Sequence, residues 1–261
     1  MIAEGTFIDG TYSLTEDQVE ELHRRGFITL RSFLSPEEMN TSFPAIRDYI
    51  ENSHQDISSA ERAMGLTPRK IVCSLDDAPQ AVADFIMSPR LGELAARLLD
   101  VEAVRILQFT GFFKPGGGTP TPWHQDLSYI PLNTAKSLTI WIPLTDLTPE
   151  MADLKFAEGS HLFGQLDSRV AETQFPLVRN GAMQMGDVSV HMGWVLHCST
   201  TNSSTTLRQA IAISYYADGA RIEVRGKSPF IQKFLDKYFA GLAPGDLAEG
   251  PLTPVAFRRN A

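Results

Sequence analysis

The sequence has few features that would cross-link the chain or hold it in a membrane. It contains two cysteines, Cys73 and Cys198, which are far apart and lack the spacing of a zinc site. This argues against a disulfide framework and suits a reducing compartment. No hydrophobic run approaches the roughly 20 residues of a membrane-spanning helix, and residues 1–17 are acidic and lack the apolar core of a secretory signal. We therefore expect a cytoplasmic protein without a membrane partner.

Positive charge is also scarce. The chain has 23 lysines and arginines against 31 aspartates and glutamates, for a formal net charge of −8. Such a balance favours solubility and disfavours nucleic acid and anionic membranes as partners. The glycine triplet at 116–118 is not followed by the lysine and hydroxyl residue of a phosphate-binding loop. A small-molecule substrate is the partner we expect, and the sequence carries no indication of oligomeric state.

The first hundred residues carry helix signals. Thr15 and Gln18 have the spacing of a capping box, and Gly26 is a suitable residue to end the helix that they begin. Residues 88–100 have the period of an amphipathic helix. We predict that the segment 13–100 forms helical support for the rest of the chain.

From about residue 101 the pattern changes to short β segments separated by turn residues. Between residues 138 and 144, apolar residues at even positions alternate with Thr139 and Trp141, as in a strand with one face in the core. Segments of this kind at short intervals are typical of a sandwich or barrel. We predict one domain over residues 1–261, mainly β with flanking helices, with a β core at about 101–218 and a last helix at about 229–242.

The segment "WHQD" at 123–126 combines a histidine and a carboxylate. Because residues at i and i+2 of a strand point to the same face, we predict that His124 and Asp126 lie on one strand and hold a metal together. Downstream, His191 or His197 would complete a set of two imidazoles and one carboxylate. Such a facial triad binds ferrous iron and leaves coordination positions open.

Arg208 favours His197 as the second histidine of this set. The arginine begins a segment whose same-face residues, Ala210, Ala212 and Ser214, are small. A cation at the end of such a stripe is unusual inside a sheet, but it makes sense if the stripe lines a cavity and the guanidinium binds a carboxylate bidentately. His197 lies eleven residues before Arg208, and the turn residues between them predict that their strands are neighbours.

Two residues next to His197 receive different predictions. Ser199 shares the face of His197, so its hydroxyl could donate to the same carboxylate as Arg208. Cys198 points the other way, and we expect it in the core.

Several short motifs together resemble those of a known family. They are "WHQD", "GSH" at 159–161, "GD" at 186–187, "LHCS" at 196–199 with its arginine eleven residues after the histidine, and the opening segment "LTEDQVEELHRRGFITLRSFLSPEEM". In order and spacing they resemble the phytanoyl-CoA dioxygenase-like family. These proteins are iron(II)- and 2-oxoglutarate-dependent oxygenases built on a double-stranded β-helix, or jelly roll. The resemblance implies the same cupin-like fold here.

The resemblance also implies roles for individual residues. His124, Asp126 and His197 would bind Fe(II). Arg208 and Ser199 would bind the distal carboxylate of 2-oxoglutarate, with Gln108 assisting and Trp141 beside the cosubstrate. Related halogenases have a small residue in place of the aspartate, so the presence of Asp126 speaks against halogenation.

The implied reaction uses O2 to oxidise a C–H bond of a small organic substrate, with release of succinate and CO2. The outcome could be hydroxylation, cyclisation, epimerisation or desaturation, and the family resemblance favours natural-product intermediates, polyketide-derived ones among them. The length and irregularity of residues 52–80 and 164–182 make them candidates for substrate contact.

Two other functions compete with this reading. One is a cupin-type metal protein that catalyses isomerisation or hydrolysis, and the other is a non-catalytic ligand-binding relative. Arg208 favours the oxygenase over the first alternative, because a dicarboxylate cosubstrate requires a buried cation. Against the second, all four expected ligand and cosubstrate residues are present in the sequence.

Overall fold

Two antiparallel sheets form the centre of the protein. The computed structural model describes residues 8, 10–52, 75–226 and 228–259. The strands are β1 (Phe27–Leu30), β2 (Ala103–Lys114), β3 (Thr121–His124), β4 (Ser137–Pro143), β5 (Leu154–Ala157), β6 (Leu177–Arg179), β7 (Val188–Met192), β8 (His197–Ser199), β9 (Arg208–Ala217) and β10 (Val255–Arg258). A six-stranded sheet has the order β1-β7-β4-β9-β2-β10, and a four-stranded sheet has the order β3-β8-β5-β6. The mainly β architecture with flanking helices is the one predicted.

The helices lie before, between and after the strands. They are α1 (Glu16–Arg25), α2 (Pro36–Asn52), α3 (Gln80–Ile86), α4 (Pro89–Leu99), α5 (Ala171–Gln174) and α6 (Pro229–Tyr238), with short 3-10 turns at 126–129, 160–163 and 168–170. The predicted capping box of α1 is present, with Thr15 and Gln18 bonded to each other's backbone amides, and Gly26 ends the helix with φ of 86°. None of the helices in the described ranges has both the length and the apolar character needed to cross a bilayer.

The six-stranded sheet has one face in the hydrophobic core and one face towards the four-stranded sheet. On β4, Leu138, Ile140 and Ile142 pack with apolar residues of α1, α2, α3 and α4. The alternate residues Thr139 and Trp141 point the other way and line a cavity that also borders β3 and β8. The predicted alternation of this strand is therefore confirmed, and it divides the sheet into a structural face and a cavity face.

The boundaries of the sheets and of the last helix differ from the prediction. β1 and β10 pair with β7 and β2, so the sheet extends beyond the predicted β core at 101–218. The last helix ends at Tyr238 rather than near 242, because Phe239 leaves the helical region and Gly241 has φ of 83°. Cys73 and most of the segment 52–80 lie outside the described residues.

The motif "GD" at 186–187 lies just before β7 and contacts the residues that follow β1. Gly186 has φ of 94°, and a Cβ atom there would lie 2.7 Å from the carbonyl oxygen of Leu34, which excludes a side chain. Asp187 is only 3% exposed and accepts hydrogen bonds from the backbone amides of Ser32 (3.0 Å) and Gln184 (2.9 Å). Arg31 donates a further bond of 2.6 Å to Asp187. The motif therefore holds the start of β7, the strand that carries His191.

We expect Asp187→Ala to lower the free energy of unfolding by about 2–4 kcal/mol, because two amides and a guanidinium lose their buried acceptor. Urea denaturation measures this effect. Asp236→Ala, on the exposed side of α6, serves as the control and should change stability by less than about 0.5 kcal/mol. Equal stability of the two variants would mean that water replaces the carboxylate.

Candidate metal centre

Two imidazoles face each other at the junction of β3 and β8. The strands pair in a register that places His124 opposite His197, and their ring centroids are 4.1 Å apart. Nδ1 of His124 lies 2.9 Å from the carbonyl oxygen of Pro122, and Nδ1 of His197 lies 3.1 Å from that of Val195. A carbonyl only accepts, so each Nδ1 donates its proton. Both Nε2 atoms are thereby left as lone-pair donors.

Asp126 completes the group, but not from the strand. The prediction that His124 and Asp126 share a strand face is wrong, because β3 ends at His124 and Asp126 begins a 3-10 turn. Gln125, 1% exposed, explains the break. Its amide donates to the carbonyls of Gly164 (2.7 Å) and Trp194 (2.6 Å), and this fixes the turn that carries the carboxylate back towards the imidazoles.

The charges of this group suit a cation. Burial opposes ionisation of Asp126, but the surrounding imidazoles, with His197 contributing most, hold the pKa of its carboxyl well below the usual range. Burial lowers the pKa of His197 well below its usual value, and the neighbouring histidines lower it further. At neutral pH the group therefore combines a carboxylate anion with neutral imidazole, which are the forms that bind metal.

The donor atoms lie close enough to share one ion. Oδ1 of Asp126 is 3.6 Å from Nε2 of His124 and 3.7 Å from Nε2 of His197, and one ligand atom from each residue falls within 4.8 Å of the others. Two imidazoles and one carboxylate on one side of an ion are the donor set of non-haem ferrous iron. The backbone bonds of both Nδ1 atoms supply the outer contacts that such ligands require. The residues therefore fit the metal that the sequence implies.

Arg208 lies in the same cavity but on the other sheet. The prediction that the strands of His197 and Arg208 are neighbours is wrong, because β8 belongs to the four-stranded sheet and β9 to the six-stranded one. The chain crosses between the sheets through residues 200–207. There the buried amide of Asn202 donates to the carbonyls of Lys114 and Thr206. Both His197 and Arg208 line the cavity, so they face it from opposite sheets.

The guanidinium of Arg208 is buried at this cavity, with the residue 3% exposed. It donates to the carbonyl of Ala152 at 2.8 Å and lies 5.5 Å from the ring centroid of Trp141. Gln108 and Ser214 line the same cavity from neighbouring strands. A carboxylate in the cavity would therefore meet a buried, always-charged cation.

Ser199 also lines the cavity, but its hydroxyl already has protein partners. It accepts a bond of 2.7 Å from Nζ of Lys114 and donates one of 3.0 Å to Thr121. Cys198, which we expected in the core, is half-buried, and burial raises the pKa of its thiol to about 11.

The sequence reasoning missed Lys114. This lysine is buried and lies directly opposite Arg208 in the β2–β9 register. The available signal was a lysine in phase with Gln108 and Thr110 on β2, two polar residues that line the cavity.

Comparisons with known proteins agree with this geometry. Residues 22–210 match the phytanoyl-CoA dioxygenase (PhyH) family. A probable alpha-ketoglutarate-dependent hypophosphite dioxygenase of Stutzerimonas stutzeri is 25% identical over 229 residues, which cover 78% of this chain and 79% of that protein.

Two solved structures share the fold. One is SnoK, a non-heme alpha ketoglutarate dependent carbocyclase from nogalamycin biosynthesis, with a TM-score of 0.79 and 24% identity over 95% of this chain and 99% of that one. The other is the epimerase SnoN in complex with Fe3+, alpha ketoglutarate and nogalamycin RO, with a TM-score of 0.77 and 21% identity over 93% and 98%. These likenesses confirm the predicted double-stranded β-helix.

Proposed function

The chain belongs to the phytanoyl-CoA dioxygenase (PhyH) family, and on that premise we propose that it is an iron(II)- and 2-oxoglutarate-dependent oxygenase. The observation that carries the proposal is the group formed by His124, Asp126 and His197, whose Nδ1 protons are held by backbone carbonyls and whose Nε2 atoms face the carboxylate. A buried arginine in the same cavity supports a dicarboxylate cosubstrate.

We assign the residues as follows. His124, Asp126 and His197 hold the metal. Arg208 binds the distal carboxylate of 2-oxoglutarate, and Ser199, oriented by Lys114, lies beside it. Gln108 and Trp141 form part of the wall that contacts the cosubstrate.

In the reaction, the protein orients the metal and the cosubstrate, balances their charges and excludes water. When bound together, iron(II) and 2-oxoglutarate use O2 to oxidise a C–H bond, and succinate and CO2 are the co-products. Asp126 supplies negative charge, and the Nε2 atoms of His124 and His197 supply lone pairs. Arg208 fixes the orientation of the cosubstrate, since two parallel N–H bonds allow one carboxylate geometry. Burial of His197 and Arg208 limits the access of bulk water to the cavity.

The substrate that we propose is a small organic intermediate of natural-product biosynthesis. SnoK and SnoN, which share the fold over nearly the whole chain, act in nogalamycin biosynthesis or bind nogalamycin RO. This likeness supports a natural-product substrate, and a polyketide-derived one stays our prediction. The connection 164–182 remains our prediction for substrate contact. Its residue Glu172 accepts a hydrogen bond of 3.1 Å from Trp123, the residue before His124.

A direct test is the anaerobic addition of iron(II) and then 2-oxoglutarate to the metal-free protein. We expect a weak visible charge-transfer band, because the cosubstrate chelates the metal through two oxygen atoms. Zinc in place of iron is the control and should give no band. A protein that binds iron but never develops the band would exclude 2-oxoglutarate as cosubstrate and favour the cupin-type alternative. Once the band is observed, a panel of metabolites that includes polycyclic polyketides and hypophosphite can be screened. The substrate is the compound that stimulates succinate formation.

A further inference from the structure

His191 is a buried imidazole that lies beside the proposed ligands without belonging to their group. It sits on β7, is 2% exposed, and lines the cavity. Within the described part of the chain, neither of its ring nitrogens makes a hydrogen bond of good geometry. A buried imidazole in this state is expensive, so its position next to the metal site calls for a function.

The two oxygen atoms of Asp126 have different surroundings. Oδ1 faces the Nε2 atoms of the two proposed histidine ligands. Oδ2 accepts a hydrogen bond of 2.9 Å from the hydroxyl of Thr139 and lies 3.3 Å from Nε2 of His191. That distance is slightly longer than a well-formed N–H···O hydrogen bond, which measures about 2.7–3.2 Å. One oxygen is thus turned to the metal position and the other to the six-stranded sheet.

The sheet places these groups in one row. Thr139 of β4 lies opposite His191 of β7 and opposite Ser214 of β9. The hydroxyls of Thr139 and Ser214 are 2.9 Å apart, so Ser214 donates to Thr139 when Thr139 donates to Asp126. The ring of Phe156, with its centroid 5.7 Å from that of His191, confines the imidazole from the other sheet. The row therefore offers Oδ2 two donors that are held in place by strand register.

We propose that His191 is a positioning residue for the metal site: its Nε2–H donates to Oδ2 of Asp126, so that the carboxylate binds the metal through Oδ1 alone. A carboxylate that bound through both oxygens would occupy one of the positions needed by the cosubstrate and O2. A proton on Nε2 of His191 points towards Oδ2 of Asp126, which lies 3.3 Å away. This inference rests on the proposed function, since it concerns the same metal site.

The test compares three substitutions of His191. In glutamine the side-chain amide nitrogen takes the place of Nε2, in asparagine the shorter amide falls short of Oδ2, and leucine has no donor. We expect the asparagine and leucine variants to bind Co(II) about 10- to 100-fold more weakly than the unmodified protein, the usual effect of losing an outer contact to a ligand. We expect glutamine to recover most of that loss. Calorimetric titration of the metal-free proteins measures these affinities without any turnover.

Ser189→Ala is the matched control, because Ser189 is buried on the same strand and the same face, two residues before His191. It should leave the Co(II) affinity unchanged. The melting temperatures of the metal-free variants separate positioning from a merely structural role, which would lower the melting temperature of all three His191 variants alike and leave metal affinity unchanged.

Two results would overturn the inference. The first is equal Co(II) affinity in the glutamine, asparagine and leucine variants. The second is a loss in the glutamine variant as large as that of His197→Ala, which would make His191 a ligand. If the unmodified protein binds no metal, the proposed function itself fails, and that outcome is distinct from both.

Discussion

Replacing Asp126 with alanine is expected to abolish 2-oxoglutarate turnover and to weaken metal binding by more than the about 10- to 100-fold that the loss of an outer contact causes. The carboxylate is the one anion among the proposed ligands, and the imidazoles around it hold its pKa well below the usual range. Without it, a divalent cation would meet two imidazoles and no negative charge that balances its own. Succinate formation should fall to the level of the metal-free protein.

Thermal denaturation with and without Co(II) distinguishes loss of the metal from loss of the fold. A ligand at 100 times its Kd stabilises a folded protein by about 2.7 kcal/mol, so the unmodified protein should melt at a clearly higher temperature when Co(II) is added. Asp126→Ala should melt at the same temperature with and without the metal, whereas the surface control Asp236→Ala should keep the full shift. Retention of the shift in Asp126→Ala would remove Asp126 from the ligand set.

Local features were well predicted from the sequence. The capping box of α1 depends on two residues three positions apart, and the faces of β4 depend on alternation along a single strand. Such features depend on residues that are close together in the sequence, so the residue types alone are sufficient to predict them. The grouping of His124, Asp126 and His197 was also anticipated, from the spacing of these residues and from the family resemblance, although the shared strand face and the neighbouring strands assumed for them are wrong.

Long-range placement was predicted less well. The turn residues after His197 suggested that β8 and β9 form a hairpin, yet the chain crosses to the other sheet, where β9 pairs with β2 and β4. The partners of β8 are β3, more than 70 residues earlier in the sequence, and β5. A turn signal predicts a change of direction but not the strand that completes the pairing. For the same reason the sequence did not indicate that Lys114 would lie opposite Arg208.

Arg208→Ala is expected to raise the KM for 2-oxoglutarate about 100-fold, since loss of a buried, hydrogen-bonded charge partner costs about 2–5 kcal/mol and each 1.4 kcal/mol is about tenfold in affinity. The Co(II) affinity in the absence of 2-oxoglutarate should stay within about twofold, because Arg208 projects from the six-stranded sheet, whereas the two proposed histidine ligands lie on the four-stranded sheet and Asp126 lies in the 3-10 turn after β3. Steady-state kinetics and calorimetry measure the two quantities.

The KM of Arg208→Lys for 2-oxoglutarate should lie between that of the unmodified protein and that of Arg208→Ala, because lysine keeps the charge but not the planar pair of donors. Arg221→Ala, an exposed arginine, controls for the change in net charge and should leave both constants unchanged. A larger effect of Arg208→Ala on metal affinity than on the KM for 2-oxoglutarate would contradict the assignment and return Arg208 to a structural role.

The two substitutions also differ in how they affect coupling between the metal and the cosubstrate. A cosubstrate that chelates the metal must tighten metal binding by the same factor by which the metal tightens cosubstrate binding. Asp126→Ala removes the metal, and therefore removes the binding of 2-oxoglutarate that depends on it. Arg208→Ala keeps the metal but weakens 2-oxoglutarate with and without it, so the coupling factor should survive while both cosubstrate affinities fall. A coupling factor lost in Arg208→Ala would mean that the guanidinium acts at the metal-binding end of the cosubstrate instead of at its distal carboxylate.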